Sequence, residues 1–398
     1  MTNLKIFTTN IETKALEQIN TLIAQPTFSN CKIRIMPDVH AGAGCVIGFT
    51  ANLGEKVIPN IVGVDIGCGM LTVNLGQIDV DYAQLDEVIH TYIPSGRNVH
   101  SVATYSTETM EQLYCHEALR NKERIRYSLG TLGGGNHFIE VDEDMEGNKY
   151  LVIHSGSRNL GKQVADYYQK VAIDNLYYRA NDLAQAKNEL IASLKAQDKE
   201  SEISGAIKEL RDSYKTKTVD IPKELCYLEG KDRLNYLHDM KICQEFATAN
   251  RAMIANIICR HMHWTQKASF ETIHNYIEHE TNMVRKGAIS AKRGERLLIP
   301  INMRDGCIIG IGKGNEDWNC SAPHGAGRLM SRTKARESVL LEDFKASMEG
   351  IYTTSVNQST LDESPMAYKS MDEILENIKD TVEVECIIKP IYNFKASE

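Results

Sequence analysis

Short apolar runs, each closed by glycine, aspartate or asparagine, crowd the first 160 residues of this chain. CKIRIMPDV (31–39), CVIGFT (45–50), IVGVDIG (61–67), MLTVNL (70–75), NHFIEV (136–141) and YLVIH (150–154) are too short for core helices and too apolar for loops. Bounded by turn residues, they predict short β-strands. Residues 162–222 change character. Leu183, Ala186, Leu190, Ile191 and Leu194 share one helical face, and Ile203, Ile207, Leu210 and Tyr214 share another, with DKESEISG between them. This predicts a helical hairpin inserted over 162–222 and closed by Pro222. A longer helix follows over about 230–260, and strand-like, glycine-rich sequence returns at 296–314 (RLLIPI, CIIGIGKG). VEVECIIKPIYNFK (382–395) reads as a last strand or two. Glycine-rich motifs on both sides of the helical stretch predict one α+β body over residues 1–398, interrupted by helices.

Composition narrows the class. With 42% hydrophobic and 25% charged residues among 398, the chain is neither disordered nor collagen-like. No apolar run reaches the roughly 18 residues a membrane span requires, and MTNLKIFTTN lacks a signal pattern, so a cytoplasmic location is expected. The formal net charge of -8 excludes a global basic field. Between Arg285 and Arg336, however, eleven Lys and Arg stand against four Asp and Glu. That block reads either as a surface facing a polyanion or as ion pairs with the acidic remainder. The ten cysteines include no C-x-x-C pair, so most are expected to be reduced, buried and inert.

Five clusters carry chemistry. Asp65-Ile-Gly-Cys68-Gly sets a carboxylate and a thiol three residues apart in a glycine-rich turn after the predicted strand IVGV. Asn136-His137 follows three glycines, with Glu140 soon after; His154 ends YLVIH and opens Ser155-Gly-Ser157-Arg158; His274-Asn275 follows the candidate strand ASFETI. Any one of these reads as a structural turn. Together, a thiolate, a carboxylate and three imidazoles suit one or two divalent transition metals, and the softness of sulfur points to zinc. In the fifth cluster, Ser321-Ala-Pro-His324-Gly-Ala-Gly-Arg328, then Ser331-Arg332, an imidazole and two arginines flank a glycine turn suited to an anion. A helix-capping loop with solvated arginines fits that last segment equally well.

DVHAG (38–42), VGVDIGCGM (62–70), GGGNHFIE (133–140), HSGSR (154–158), HN (274–275) and HGAGR (324–328) resemble, in this order, the signature of the RtcB family. These are RNA ligases that join a 3′-phosphate or 2′,3′-cyclic phosphate end to a 5′-hydroxyl end. The resemblance runs from about residue 35 to the C-terminus and is weakest in the helical hairpin. It implies packed β-sheets with flanking helices around a central metal cleft, and two manganese ions in place of zinc. Cys68 would bridge them, Asp65 and His137 would complete one site, and His154 and His274 would serve the other. The resemblance assigns His324 as the nucleophile guanylylated by GTP, and Asn136, Glu140, Asn275, Tyr368 and Lys395 as nucleotide contacts. Arg158, Arg328 and Arg332 would support phosphate or RNA.

The chain also departs from the family pattern. Pro300-Ile-Asn302-Met303-Arg304-Asp305 stands where the family has Pro-Gly-Ser-Met-Gly-Thr, and Asn159 stands where glycine is common. A bulky, charged loop at 300–305 is expected to alter nucleotide handling. The short length resembles a divergent bacterial branch associated with a release-factor-like protein, which makes such a protein a candidate functional partner. Besides ligation of broken RNA ends in RNA repair, two activities stay open: opening of cyclic phosphates without sealing, and RNA-end binding without catalysis.

Overall fold

Glycine and β-branched residues in the first half do build strands, and the chain continues them after its helical stretch. The computed structural model describes residues 3–178, 180–214 and 220–396. In chain order the strands are β1 (Asn3–Ile6), β2 (Lys32–His40), β3 (Ile47–Asn52), β4 (Gly69–Gly76), β5 (Phe138–Glu143), β6 (Lys149–Ser155) and β7 (Ala268–Ile273). They continue as β8 (Asn275–Ile277), β9 (Met283–Lys286), β10 (Ala288–Ser290), β11 (Arg296–Asn302), β12 (Gly306–Gly312), β13 (Ser321–Pro323) and β14 (Val382–Lys395).

Seven strands form one antiparallel sheet in the order β11-β12-β14-β5-β6-β4-β7. Its edges meet: the Leu298 N–H of β11 donates to Thr272 Oγ1 of β7 at 3.0 Å, so the sheet curls nearly closed. Met70, Phe138, Val152, Leu298, Ile309 and Ile388 come from six of these strands and pack together, which only the inside of the curl permits. The alternate residues Val73, Ile139, Val141, Leu151 and Ile153 face outward onto Ile254, Ala255 and Ile258 of the helix Gly230–Met262. Each such side chain contributes about 1.5–3 kcal/mol on burial. A second sheet, β1-β2-β3-β9-β8, is parallel only at β1–β2 and packs its Ile33, Ile35 and Phe49 with Ala15, Ile19 and Leu22 of the helix Thr13–Ile23. β10 and β13 pair antiparallel as a two-stranded sheet.

The architecture is the expected α+β one of sheets with flanking helices; two elements differ from the sequence reading, and the C-terminal segment takes one of its two alternatives. IVGV is not a strand. Pro59–Ile61 forms a 3-10 turn, and Gly63 at φ +101° redirects the chain, so Ile61 and Val62 are buried in irregular backbone. A short buried apolar run has no period that separates the two cases. The C-terminal segment is a single 14-residue strand whose first half pairs with β12 and whose second half pairs with β5. The helical region starts earlier than 162. Its first helix, Arg158–Tyr178, belongs to the body, burying Leu160, Val164, Tyr168 and Ala172 in the same core as Tyr236 and Met240 of the helix Gly230–Met262.

The hairpin proper consists of Ala180–Ala196 and Ile203–Tyr214. The apolar residues named from its periodicity are all half-buried, and none of its described side chains is fully buried. Residues 215–219 of the predicted insertion lie outside the described residues. Among the described residues no helix is long and apolar enough to cross a membrane. All ten cysteines are free, and eight are buried.

Candidate metal and nucleotide site

Strand register brings the candidate ligands together. Met70 of β4 and Phe138 of β5 both stand opposite His154 of β6, while Gly69 stands opposite Ile273 of β7. Cys68 and His137, which immediately precede β4 and β5, therefore meet His154 and His274 at one end of the curled sheet. Cys68 Sγ lies 3.4 Å from His137 Nε2 and 3.3 Å from His154 Nε2. His137 Nε2 is 3.1 Å from Asp65 Oδ2, and the His154 and His274 rings are 5.1 Å apart. All four ring and thiol groups are buried. Gly156 makes room for the carboxylate, because a Cβ there would fall 2.3 Å from Asp65 Oδ1.

Backbone carbonyls orient the rings. His137 Nδ1 meets Leu132 O at 2.8 Å and His154 Nδ1 meets Asn136 O at 3.2 Å, which leaves each Nε2 lone pair directed at Cys68. His274 Nδ1 is buried with no partner. Burial, reinforced by neighbouring cations, holds His154 and His274 well below the ordinary histidine range, so both are neutral. Burial and then Asp65 push the Cys68 thiol well up. Burial alone would also raise Asp65, but His137 and Arg158 outweigh it and bring the carboxyl to about 2. One soft sulfur, three imidazoles and an ionised carboxylate form a donor set suited to divalent transition metals, and the unpartnered His274 nitrogen is a further free donor.

The helix Gly230–Met262 braces this arrangement through residues the sequence reading passed over. Arg251, fully buried, donates to Gly67 O at 2.8 Å and Ser155 O at 2.7 Å, and pairs with Glu271 at 2.9 Å. Asn250 accepts from the Gly130 and Thr131 amides and donates to Gly156 O at 3.3 Å. Two adjacent polar residues tie down three ligand-bearing loops. The available signal was an Asn-Arg pair interrupting an apolar helix face.

Beside the donors lies a cavity of about 460 Å³ lined by Asn136, Glu140, His324, Arg328, Tyr368 and Lys395, among others. His324 follows β13, its ring 4.8 Å from that of His274. Its Nδ1 is 2.6 Å from Asp38 Oδ2, and its backbone N–H donates to the same oxygen at 3.0 Å. Asp38 is fully buried on β2, so His324 Nδ1 carries the proton and Nε2 is left with a free lone pair. Asp38 entered the sequence reading only as part of DVHAG; the contact joins residues 286 positions apart, which no local pattern exposes.

The expected nucleotide contacts and basic supports divide. Tyr368 Oη and Lys395 Nζ both bind the buried Glu363, at 2.8 and 2.6 Å, and Arg328 lies over the Tyr368 ring at 4.9 Å. Arg332 pairs with Asp362 at 3.4 Å and lines the cavity. Two expected contacts do not line it. Asn275 donates to Asp65 O at 3.3 Å and accepts from the Gly287 N–H at 3.0 Å, bracing the ligand loop. Arg158 reaches Thr131 Oγ1 and Gly96 O, both at 3.2 Å.

Much of the basic block is internally paired, favouring the second of its two readings. Arg285 is buried against Ser321 and Tyr276, Lys286 donates to three carbonyls, and Arg296 pairs with Glu385. Arg304 forks onto Asp305 at 2.7 and 3.0 Å, and Asn302 caps both backbone amides. Pro300–Met303 line the cavity, whereas Arg304 and Asp305 do not. The departure at 300–305 thus neutralises itself beside the cavity.

Comparison with known proteins identifies the family of the chain. The family model described as tRNA-splicing ligase RtcB matches residues 18–121 and 114–396. The chain is 32% identical over 416 residues to the RNA-splicing ligase RtcB of Escherichia coli, covering 94% of this chain and 92% of that protein. It is 26% identical to the tRNA-splicing ligase RtcB of Aeropyrum pernix, over 86% of this chain and 83% of that one. With similarity along nearly its whole length, the chain belongs to the RtcB family.

Proposed function

We propose that this protein is a GTP- and manganese-dependent RNA ligase that joins RNA 3′-phosphate or 2′,3′-cyclic phosphate ends to 5′-hydroxyl ends. The observation carrying the reading is His324. Its Nδ1 proton is held by a buried carboxylate at 2.6 Å, and it sits beside a five-donor centre at the edge of a nucleotide-sized cavity. Asp65, Cys68 and His137 would hold one manganese, and Cys68, His154 and His274 the second. When bound, the ions supply positive charge that stabilises the phosphoryl oxygens and the leaving pyrophosphate.

The chain's own residues supply the rest. Tyr368, Lys395, Glu140 and Asn136 bind the nucleotide in the cavity, with Arg328 and Arg332 adding positive charge around it. Asp38 keeps His324 in one tautomer and offsets the charge that its ring gains as Nε2 bonds to the α-phosphorus and pyrophosphate departs. GMP then passes from His324 to the RNA 3′-phosphate, and the 5′-hydroxyl displaces it to form the phosphodiester. A cyclic phosphate is first hydrolysed to the 3′-phosphate. His324 can act as a nucleophile because the contact with Asp38 leaves the ring proton on Nδ1 and the lone pair on Nε2.

The test uses α-labelled GTP, manganese and a nicked stem-loop with 3′-phosphate and 5′-hydroxyl ends. The native protein should form an acid-labile, alkali-stable GMP adduct and seal the RNA. His324→Ala should form no adduct while retaining its metals, and should still slowly seal RNA already capped with GMP. Asp38→Asn should slow adduct formation by roughly a hundredfold or more, the scale of misorienting a catalytic histidine. A native protein that opens cyclic phosphates yet forms neither adduct nor sealed product would instead be a phosphodiesterase.

A further inference from the structure

Outside the histidine–thiolate centre, the polar group least explained by the fold is Asp142. It is fully buried on β5, two residues from Glu140 and on the same face, and this face of β5 lines the apolar inside of the curled sheet. Neither of its carboxyl oxygens has a hydrogen-bond partner. Glu140 is treated differently. It accepts from Cys307 Sγ at 3.2 Å and from Asn393 Nδ2 at 2.8 Å, and Lys395 acts on it through space. Donor atoms of Glu140, Asp142 and Cys307 lie within 4.8 Å of one another. Tyr150, opposite Asp142 on β6, gives its hydroxyl to Asp144 instead.

Two carboxylates this close in an apolar layer do not both ionise, and one proton is held between them. Geometry decides where it resides. Cys307 Sγ and Asn393 Nδ2 donate to Glu140 at hydrogen-bond distance, whereas no donor meets Asp142 at that distance and only the Cys307 thiol comes near it.

We propose that Asp142 is a neutral carboxylic acid that hydrogen-bonds to Glu140 and keeps it ionised toward the cavity, so that the pair selects a nucleobase presenting adjacent N–H donors. This rests on Glu140 being a nucleobase contact, as proposed above. Glu140 lines the cavity and Asp142 does not, so Asp142 is a positioning residue. An ionised Glu140 offers only acceptors. It welcomes a purine edge with a ring N–H beside an exocyclic amine, and repels one whose ring nitrogen is itself an acceptor. Asn393 Oδ1, also buried and without a partner, is a further acceptor in this cluster. Burial, reinforced by Glu140, pushes the Asp142 carboxyl well up.

The experiment uses the manganese-loaded full chain. Infrared spectra read the C=O stretch of a protonated carboxyl, and equilibrium titration reads GTP and ATP affinity across pH. The native protein should show a protonated-carboxyl band that Asp142→Asn removes. Asp142→Val should weaken GTP binding at least roughly tenfold, the scale of losing a hydrogen bond to a charged group. It should also erode the preference for GTP over ATP, more so as pH falls, because Glu140 without its donor takes up a proton more readily. Asp142→Asn, which keeps a neutral donor, should rescue most of both losses.

Three results would overturn the proposal: no band lost in Asp142→Asn, an Asn variant as impaired as the Val variant, or a third tightly bound metal equivalent that Asp142→Asn and Cys307→Ser each remove. Unchanged GTP affinity in Glu140→Gln overturns the nucleobase contact, and the selection role with it. The infrared band locates the proton independently of that outcome.

Discussion

At the scale of single residues, Cys68 has the most exacting position. Two imidazole nitrogens approach its sulfur within 3.4 Å, one from β6 and one from the residue before β5, and only a thiolate is both soft and able to bridge. Cys68→Ala should lose both metals or nearly so, read by elemental analysis of the purified protein; two tightly bound equivalents in that variant would remove its bridging role. The other nine cysteines are free, and eight of the ten are buried, which matches the inert role expected of most of them. Arg304 makes the opposite case. The sequence presents it as a cation among phosphate-binding positions, but its guanidinium is committed to Asp305. Arg304→Gly should shift GTP affinity by less than about threefold, the worth of an exposed ion pair. A larger change in a GTP titration would mean that the loop opens toward the nucleotide.

Among the elements, the helix Gly230–Met262 does more than cover the sheet. The sequence places it at about 230–260, yet Asn250 and Arg251 anchor the loops before β4 and after β6 from its buried face. Arg251→Leu leaves Glu271 without its cation and two carbonyls without their donor, so a loss of about 3–5 kcal/mol is expected. Denaturant unfolding measures that loss, and metal content should fall with it because Gly67 and Ser155 neighbour ligands. The hairpin Ala180–Ala196 and Ile203–Tyr214 behaves differently. None of its described side chains is fully buried. Replacing residues 180–219 with a short Gly/Ser linker should therefore leave Tm and manganese content near native values. A collapse of either would show that the hairpin supports the body.

On the scale of the whole molecule, the curled sheet fixes an unusual pH response. Burial raises both Asp142 and Glu140, so the folded chain keeps a proton that the unfolded chain releases near its ordinary carboxyl value of about 4. With more protons bound in the folded state, this pair's contribution is full below that value and is lost as pH rises. Asp142→Asn removes the titration, so its Tm relative to native should improve progressively from pH 5 to pH 8. A native-to-variant difference that stays flat over that range would mean that Asp142 does not hold the proton.

The sequence by itself determined the α+β class, the helical stretches and the chemistry, because each rests on local signals. Glycine-flanked Cys68, His137, His154 and His324 stand out one motif at a time, His274 closes the strand-like ASFETI, and amphipathic periodicity marks the hairpin. Tertiary structure decided which groups meet. Asp38 reaches His324 across 286 positions, and Arg251 joins loops that no spacing relates. Asn275 and Arg158 turned from expected ligand contacts into braces, and many cations of the 285–336 block turned inward to partners. IVGV became a buried turn, since burial on all sides erases the alternation that would distinguish strand from loop. Asp142 reads in sequence as one more acid on a strand; only closure of the sheet, which strips it of water and of donors, makes it a neutral one.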